Sequence, residues 1–294
     1  TRLAASRVAA EFYNYPSKEL KIIGITGTNG KTSTASLIYA ILKQAGFKAA
    51  QLGTLGVIAD GFNTKKTLTT PDPITLHKIL RDLSDNNFTH AVMEVSSHAL
   101  DQYRVADIDF DISIFTNLSN EHLDYHNDIK TYFKTKSRLF RMMPITSTSI
   151  IHTDKEYGRK MRLESSAPVL SVSMNDEADI YFQNLNYSLA GINGVIKAGN
   201  KKFNLIFPNS ILQKKSVNRA IKLVKMGKVR NANKIIKPAI NYLIKRKCSK
   251  IILGCTELPI AIFAFKSFKN IKTSKIFLDP NLILAHSAMK KYKR

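Results

Sequence analysis

Cysteine is scarce in this chain. Its 294 residues include only Cys248 and Cys255, too few for a disulfide framework or a four-ligand zinc site, so reduced thiols are expected. No stretch approaches the roughly 18–20 apolar residues needed to cross a bilayer, and the first residues lack a charged-then-apolar leader pattern. These absences predict a soluble, cytoplasmic protein with no membrane partner. Low-complexity linkers and internal repeats are also missing. The last 84 residues, 211–294, hold two acids, Glu257 and Asp279, against 21 of the 45 Lys and Arg. The net charge of +23 therefore arises almost wholly in that stretch. Its lysines, such as Lys222, Lys225 and Lys228, alternate in helical rhythm with Ile221, Leu223 and Val224. That pattern reads as a solvated helix face, and nucleic acid is not expected as a partner.

What is present suits about two globular domains, with 44% hydrophobic residues. From Leu20 to about residue 140, apolar runs alternate with helix-like periods: "KAAQLGTLGVI" as a strand, "PITLHKILRDLSDNN" as a helix, then "THAVMEV" and "FDISIFTNL" as strands. Such alternation predicts an α/β fold, a mostly parallel sheet with helices on both faces, whose ligands bind at the carboxyl ends of the strands, which marks Thr26 to Thr34, Thr54, Glu94 to His98 and Asn117 to His126 as candidates. Beyond residue 150, "TSIIHTD", "PVLSVS", "ADIYFQNLNYSL", "GVIKAG" and "KFNLIFP" read as a β-meander, and 214–247 turns helical again. The composition step near Pro208 places a seam at about 208–216.

The stretch "GITGTNGKTSTASLI", residues 24–38, joins an apolar strand to a helix. A glycine-rich turn there exposes backbone N–H groups at the positive end of the helix, where phosphate oxygens fit. Lys31 would neutralise terminal phosphates and the Thr32 hydroxyl could reach Mg²⁺. The usual P-loop spacing is not met, since Ile25 stands five residues before Gly30.

"GTNGKTSTASLI", followed in order by "TTPDP", "AVMEVSSHALDQYRV", "FTNLSNEHLDYH" and "KSRLF", resembles the central ATPase domain of the Mur ligases over about residues 1–207. The likeness is strongest to the branch adding the third amino acid to UDP-N-acetylmuramoyl-L-alanyl-D-glutamate in peptidoglycan synthesis. The resemblance implies an ATP-dependent, amide-forming ligase acting through an acyl phosphate. Its implied cofactors are ATP, Mg²⁺ and a carbamylated lysine, and its substrates a UDP-N-acetylmuramoyl-peptide and an amino acid. Gly27, Thr28, Asn29, Gly30, Lys31, Thr32 and Ser33 would hold ATP. Thr32, Glu94, His122 and a CO₂-modified Lys136 would hold Mg²⁺, with Lys31, His122 and Lys136 catalytic; Lys134 serves as the unmodified comparison. Thr69, Thr70, Ser96, Gln102 and Arg104 would meet the UDP-linked substrate.

On this resemblance residues 1–19 are the end of an amino-terminal UDP-binding domain and 20–208 the ATP-binding domain. The junction expected into a third domain is missing. Residues 211–294 carry "KIILGCTELPIAI" and "FLDPNLILAHSAMK", similar to the carboxy-terminal part of aspartate/glutamate racemases, which implies a catalytic thiol at Cys255. Three readings stay open: a Mur-type ligase, a nucleotide-binding remnant, and a racemase-like isomerase.

Overall fold

Residues 21–26 alternate their burial between two layers, and that alternation builds the first unit. The computed structural model describes residues 2–62, 68–121, 123–174, 178–188, 191–249, 251–252, 258, 261–262 and 277–278. One unit runs to Asp179 and a second starts at Ile180.

In the first unit the elements are α1 (Arg2–Phe12), β1 (Lys21–Thr26), α2 (Lys31–Gln44), β2 (Ala49–Gly53), β3 (Gly56–Ile58), α3 (Pro73–Asp85), β4 (His90–Glu94) and α4 (Ser97–Asp101). They continue with β5 (Ile112–Phe115), α5 (Leu123–His126), α6 (Ile129–Arg141), β6 (Thr148–His152), α7 (Glu156–Glu164) and β7 (Val169–Ser173). The strands lie in the order β7-β6-β5-β1-β4-β2-β3. All neighbours pair parallel except β2 with β3. Because β1 lies between β4 and β5, the strand order reverses there, which is where parallel sheets leave a crevice for ligands.

Both faces are covered, as expected for parallel strands. Ile22, Ala91 and Met93 point into a core shared with Leu76 and Leu80 of α3 and with Tyr132, Leu139 and Phe140 of α6. Ile23, Ile25 and Val92 point the other way, onto Ala35 of α2. Asp72 caps α3 by accepting from Thr75 N, and Asp128 caps α6 by accepting from Thr131 N, each satisfying one of the amides a helix start leaves open.

Two expectations change. "KAAQLGTLGVI" is a hairpin rather than one strand, because Gly56 takes φ +87° and lets β3 fold back on β2. "TSIIHTD" and "PVLSVS" form β6 and β7 of the parallel sheet, pairing onward from β5 and sharing its half-buried pattern rather than the near-full burial of β1, β2 and β4. The meander proper is confined to the second unit, where β8 (Ile180–Ser188), β9 (Gly191–Ala198) and β10 (Lys201–Ile206) pair antiparallel.

The second unit continues with α8 (Ser210–Leu212), a π-helical turn (Gln213–Asn218), α9 (Arg219–Lys225), α10 (Val229–Lys245), and the parallel pair β11 (Ile251–Ile252) and β12 (Phe277–Leu278). Val217, Ala220, Ile236, Ala239, Ile240 and Leu243 form its core. Among the described residues no helix is long and apolar enough to cross a membrane.

Candidate nucleotide and metal site

The loop between β1 and α2 depends on a glycine. Gly27 has φ +149°, and a Cβ there would run into Thr116 Oγ1 at the end of β5. That close approach lets the residues after β5 lace the loop in place. Thr28 N donates to Asn117 O at 2.9 Å, Asn29 N to Asn117 Oδ1 at 3.0 Å, and Ser119 N to Thr28 Oγ1 at 3.0 Å. Thr116 Oγ1 donates to Asn29 O at 2.7 Å. Gly30 then caps α2 with φ +84°, turning the loop so that the N-terminus of α2 faces the crevice.

Lys31 Nζ donates to Gly27 O at 3.0 Å and Thr28 O at 2.8 Å. Burial lowers its pKa, opposed by the carboxylates of Glu94 and Glu121. The Thr32 hydroxyl donates to Glu94 Oε2 at 2.8 Å. Glu94, at the end of β4, is 1% exposed. It also accepts from Thr54 N at 3.0 Å and Thr54 Oγ1 at 3.2 Å. Among the described residues its side-chain donors come from Thr32 and Thr54, neutral groups that leave the buried carboxylate's charge without a cationic hydrogen-bond partner. Gly53 makes room for it, since a Cβ there would strike the carboxylate.

Lys136 sits on the inner face of α6, one turn after Tyr132 and one before Phe140, a spacing that stacks the three side chains on one face. It is 1% exposed. Its Nζ donates to Gly27 O at 3.0 Å and lies 4.5 Å from the Tyr132 ring centroid. Burial first, then the charge of Lys31, push its pKa well below the ordinary lysine value, with Glu121 opposing. A buried amine so placed is held neutral more readily than a surface lysine. Lys134, two residues away, is exposed.

These groups share one cavity of about 570 Å³, lined by Thr28 to Ser33, Thr54, Thr69, Glu94, Ser96, His98, Arg104, Tyr132 and Lys136 among others. Thr70 is fully buried beneath it. Its hydroxyl donates to Glu94 O at 2.9 Å and accepts from Ser96 N at 3.0 Å, bracing the end of β4. Arg104 donates to Thr70 O at 2.9 Å and through Nη2 to Gln102 Oε1 at 2.6 Å, so Gln102 orients the guanidinium. His122 lies outside the described residues; its neighbour Glu121 is exposed and acts electrostatically on Lys31 and Lys136. Cys255, with the rest of its Gly-Cys-Thr-Glu loop, also lies outside the described residues.

Tyr132 and the interlaced Asn117 were not singled out as site residues from the sequence. Tyr132 reads there as an ordinary core aromatic of α6; the signal for Asn117 was its place just beyond a strand end. A second cavity of about 390 Å³ adjoins the loop through Asn29 and is lined by Phe115 to Ser119, His152, Lys155 and Tyr157. Its imidazole is fixed by Thr116 O at 3.1 Å and Asp154 Oδ2 at 2.9 Å.

The donor set suits a hard divalent cation that keeps phosphate and water ligands: one buried carboxylate and one hydroxyl at the helix start. Among the described residues no group of three or more His, Cys, Asp or Glu side chains could hold a metal by itself.

Residues 25–236 match the family described as the Mur ligase middle domain. The chain is 39% identical over 201 residues to a UDP-N-acetylmuramoyl-L-alanyl-D-glutamate–2,6-diaminopimelate ligase of Geobacter metallireducens, covering 66% of this chain and 39% of that protein. It is 40% identical over 204 residues to the ligase of the same name from Nostoc, covering 68% of this chain and 41% of that protein. The chain thus spans about two fifths of the length of the curated relatives it matches. A solved structure of a ligase of that name superposes with a TM-score of 0.59 at 27% identity, covering 79% of this chain and 47% of that one. A Mycobacterium tuberculosis folylpolyglutamate synthase complexed with ADP shares the fold, with a TM-score of 0.53 at 15% identity over 69% of this chain and 52% of that one.

Proposed function

Because the chain belongs to the Mur ligase family through its middle domain, we propose that it binds MgATP in the 570 Å³ cavity and serves ATP-dependent amide formation on a peptidoglycan precursor. The substrates assigned to it are those in its relatives' names, UDP-N-acetylmuramoyl-L-alanyl-D-glutamate and 2,6-diaminopimelate. What carries this reading is convergence: Lys31, Thr32, Glu94 and Lys136, up to 105 positions apart in the chain, line one cavity.

The loop amides and Lys31 receive the phosphates, and the hydrogen bonds to Gly27 O and Thr28 O hold the ammonium ready beside them. Thr32 and Glu94 would hold Mg²⁺, with His122 as a further ligand. The ion neutralises charge on the transferring phosphoryl group when bound. Lys136, as a neutral amine, can attack CO₂: its nitrogen bonds to the carbon, a proton leaves to water, and a carbamate anion results. That anion would face the same metal position and would stand beside the Lys31 ammonium, in place of a second amine at Gly27 O. Thr69, Ser96 and Arg104 offer hydroxyl and guanidinium groups to the phosphates and carboxylates of the UDP-linked substrate. The neighbouring cavity with His152 and Tyr157 offers ring faces for the nucleoside.

The chemistry then requires positioning more than covalent work by the protein. The substrate carboxylate takes the γ-phosphoryl group, and the amine displaces phosphate from the acyl phosphate. The test is ATP hydrolysis by the purified chain with the muramoyl-dipeptide substrate and diaminopimelate. Substrate-stimulated turnover that Lys31→Ala abolishes supports the proposal. Tight ATP binding without turnover under those conditions would favour the nucleotide-binding remnant.

A further inference from the structure

The second unit's helices carry a one-signed charge arrangement of their own. Residues 210–249 contain 12 Lys and Arg and no Asp or Glu. On α10, Arg230, Lys234, Lys237, Asn241 and Lys245 follow one another at intervals of three or four residues, so they share one face of the helix. The opposite face, with Ala232, Ile236, Ala239, Ile240 and Leu243, is spent on the unit's own core. Arg230, Lys234 and Lys245 are exposed and Lys237 is half-buried. The result is a ridge of four cations and one amide about 22 Å long, with neighbours roughly one turn apart.

A solvated surface helix usually mixes both signs of charge along its face, and here there is no carboxylate within the whole helical segment. A membrane surface is a poor match, because an interfacial helix needs a free apolar face to insert, whereas α10 has buried its own. A duplex groove offers two backbones to a helix within it, while α10 presents one row of cations. We propose that this ridge binds the phosphodiester backbone of a single-stranded nucleic acid without reading its sequence. The recognition is electrostatic: Arg230, Lys234, Lys237 and Lys245 replace counterions on about four successive phosphates, with Asn241 free to hydrogen-bond between them. This proposal runs against the expectation, drawn from the helical rhythm of the lysines, that nucleic acid is not a partner.

The experiment is fluorescence anisotropy of labelled single-stranded RNA and DNA oligonucleotides with the whole chain across a salt series. Four neutralised phosphates on a single strand give a slope of about −2.8 in log K against log salt, or roughly fiftyfold weaker binding from about 50 to about 200 mM salt. The variant Arg230→Gln/Lys234→Gln/Lys237→Gln/Lys245→Gln should bind at least about tenfold more weakly and lose most of that slope. The charge-matched variant Lys214→Gln/Lys215→Gln/Lys222→Gln/Lys228→Gln, off the ridge, should change affinity less than about threefold. Photo-crosslinking of wild-type protein to a 4-thiouridine oligonucleotide should label peptides within 229–245, a readout independent of how the variants fold. Equal losses from the two variants, crosslinks elsewhere, a salt-independent affinity, or tighter binding to phosphatidylglycerol vesicles than to oligonucleotides would each overturn the proposal.

Discussion

In the first unit two amines are folded inward: Lys31 and Lys136 both donate to Gly27 O at 3.0 Å, and burial lowers the pKa of each. In the second unit Arg230, Lys234 and Lys245 stand outward on α10 over a core of their helix's own aliphatic residues. The same residue types therefore do different physical work. A buried amine costs desolvation energy, which a fold retains where a ligand can repay it. An exposed one costs almost nothing and contributes only through long-range, salt-screened attraction. Charge count does not separate these cases; burial does.

Substitutions should divide along the same line. The largest effect is expected at Lys31→Ala, which removes the proposed charged contact to phosphate and should weaken nucleotide binding by about 100-fold, or about 2.8 kcal/mol; titration with a fluorescent ATP analogue measures it. Gly27→Ala should follow. Its Cβ meets Thr116 Oγ1 and its φ of +149° suits only glycine, so thermal unfolding should show a loss of about 2–3 kcal/mol.

His77 in α3 provides a third, buried test. It is 0% exposed, and neither ring nitrogen has a hydrogen-bond partner among the described residues. Burial lowers its pKa below the ordinary value of 6.5, with Asp107 opposing. Below pH 6.5 the unfolded chain therefore takes up a proton that the native state resists, so stability falls as pH drops from 6.5 toward the native pKa and is unaffected above it. His77→Leu should remove that contribution, at most about 1.4 kcal/mol per pH unit, as read from urea midpoints in that window. The smallest effect belongs to the exposed side: Lys234→Gln and Lys245→Gln should each alter stability by less than about 0.5 kcal/mol.

The sequence carried the local features well. The Gly27–Ser33 loop is contiguous, its glycines and Lys31 are adjacent, and strand-to-helix alternation announces the parallel sheet, so each is readable in a short window. Glu94 was marked by its place at a strand end but received its metal role only through resemblance, and Lys136 was reachable through resemblance alone, since each is one acid or one lysine among many. Thr70 illustrates the limit of that route: its hydroxyl faces Glu94 O beneath the cavity, which no motif reports. Asn117 was flagged only as part of a strand-end stretch, because its hydrogen bonds to the loop span 88 positions. The β2–β3 hairpin was missed because Gly56's positive φ breaks what reads as one apolar run.

The central proposal is that Lys136, a buried amine whose pKa burial lowers, carries CO₂ in the wall of the proposed phosphate site. Carbon-13 NMR of the protein in ¹³C-bicarbonate tests it most directly. The expected result is a protein-bound carbamate signal that persists in Lys134→Gln and vanishes in Lys136→Gln. A spectrum without that signal, or one unchanged by Lys136→Gln, would contradict it.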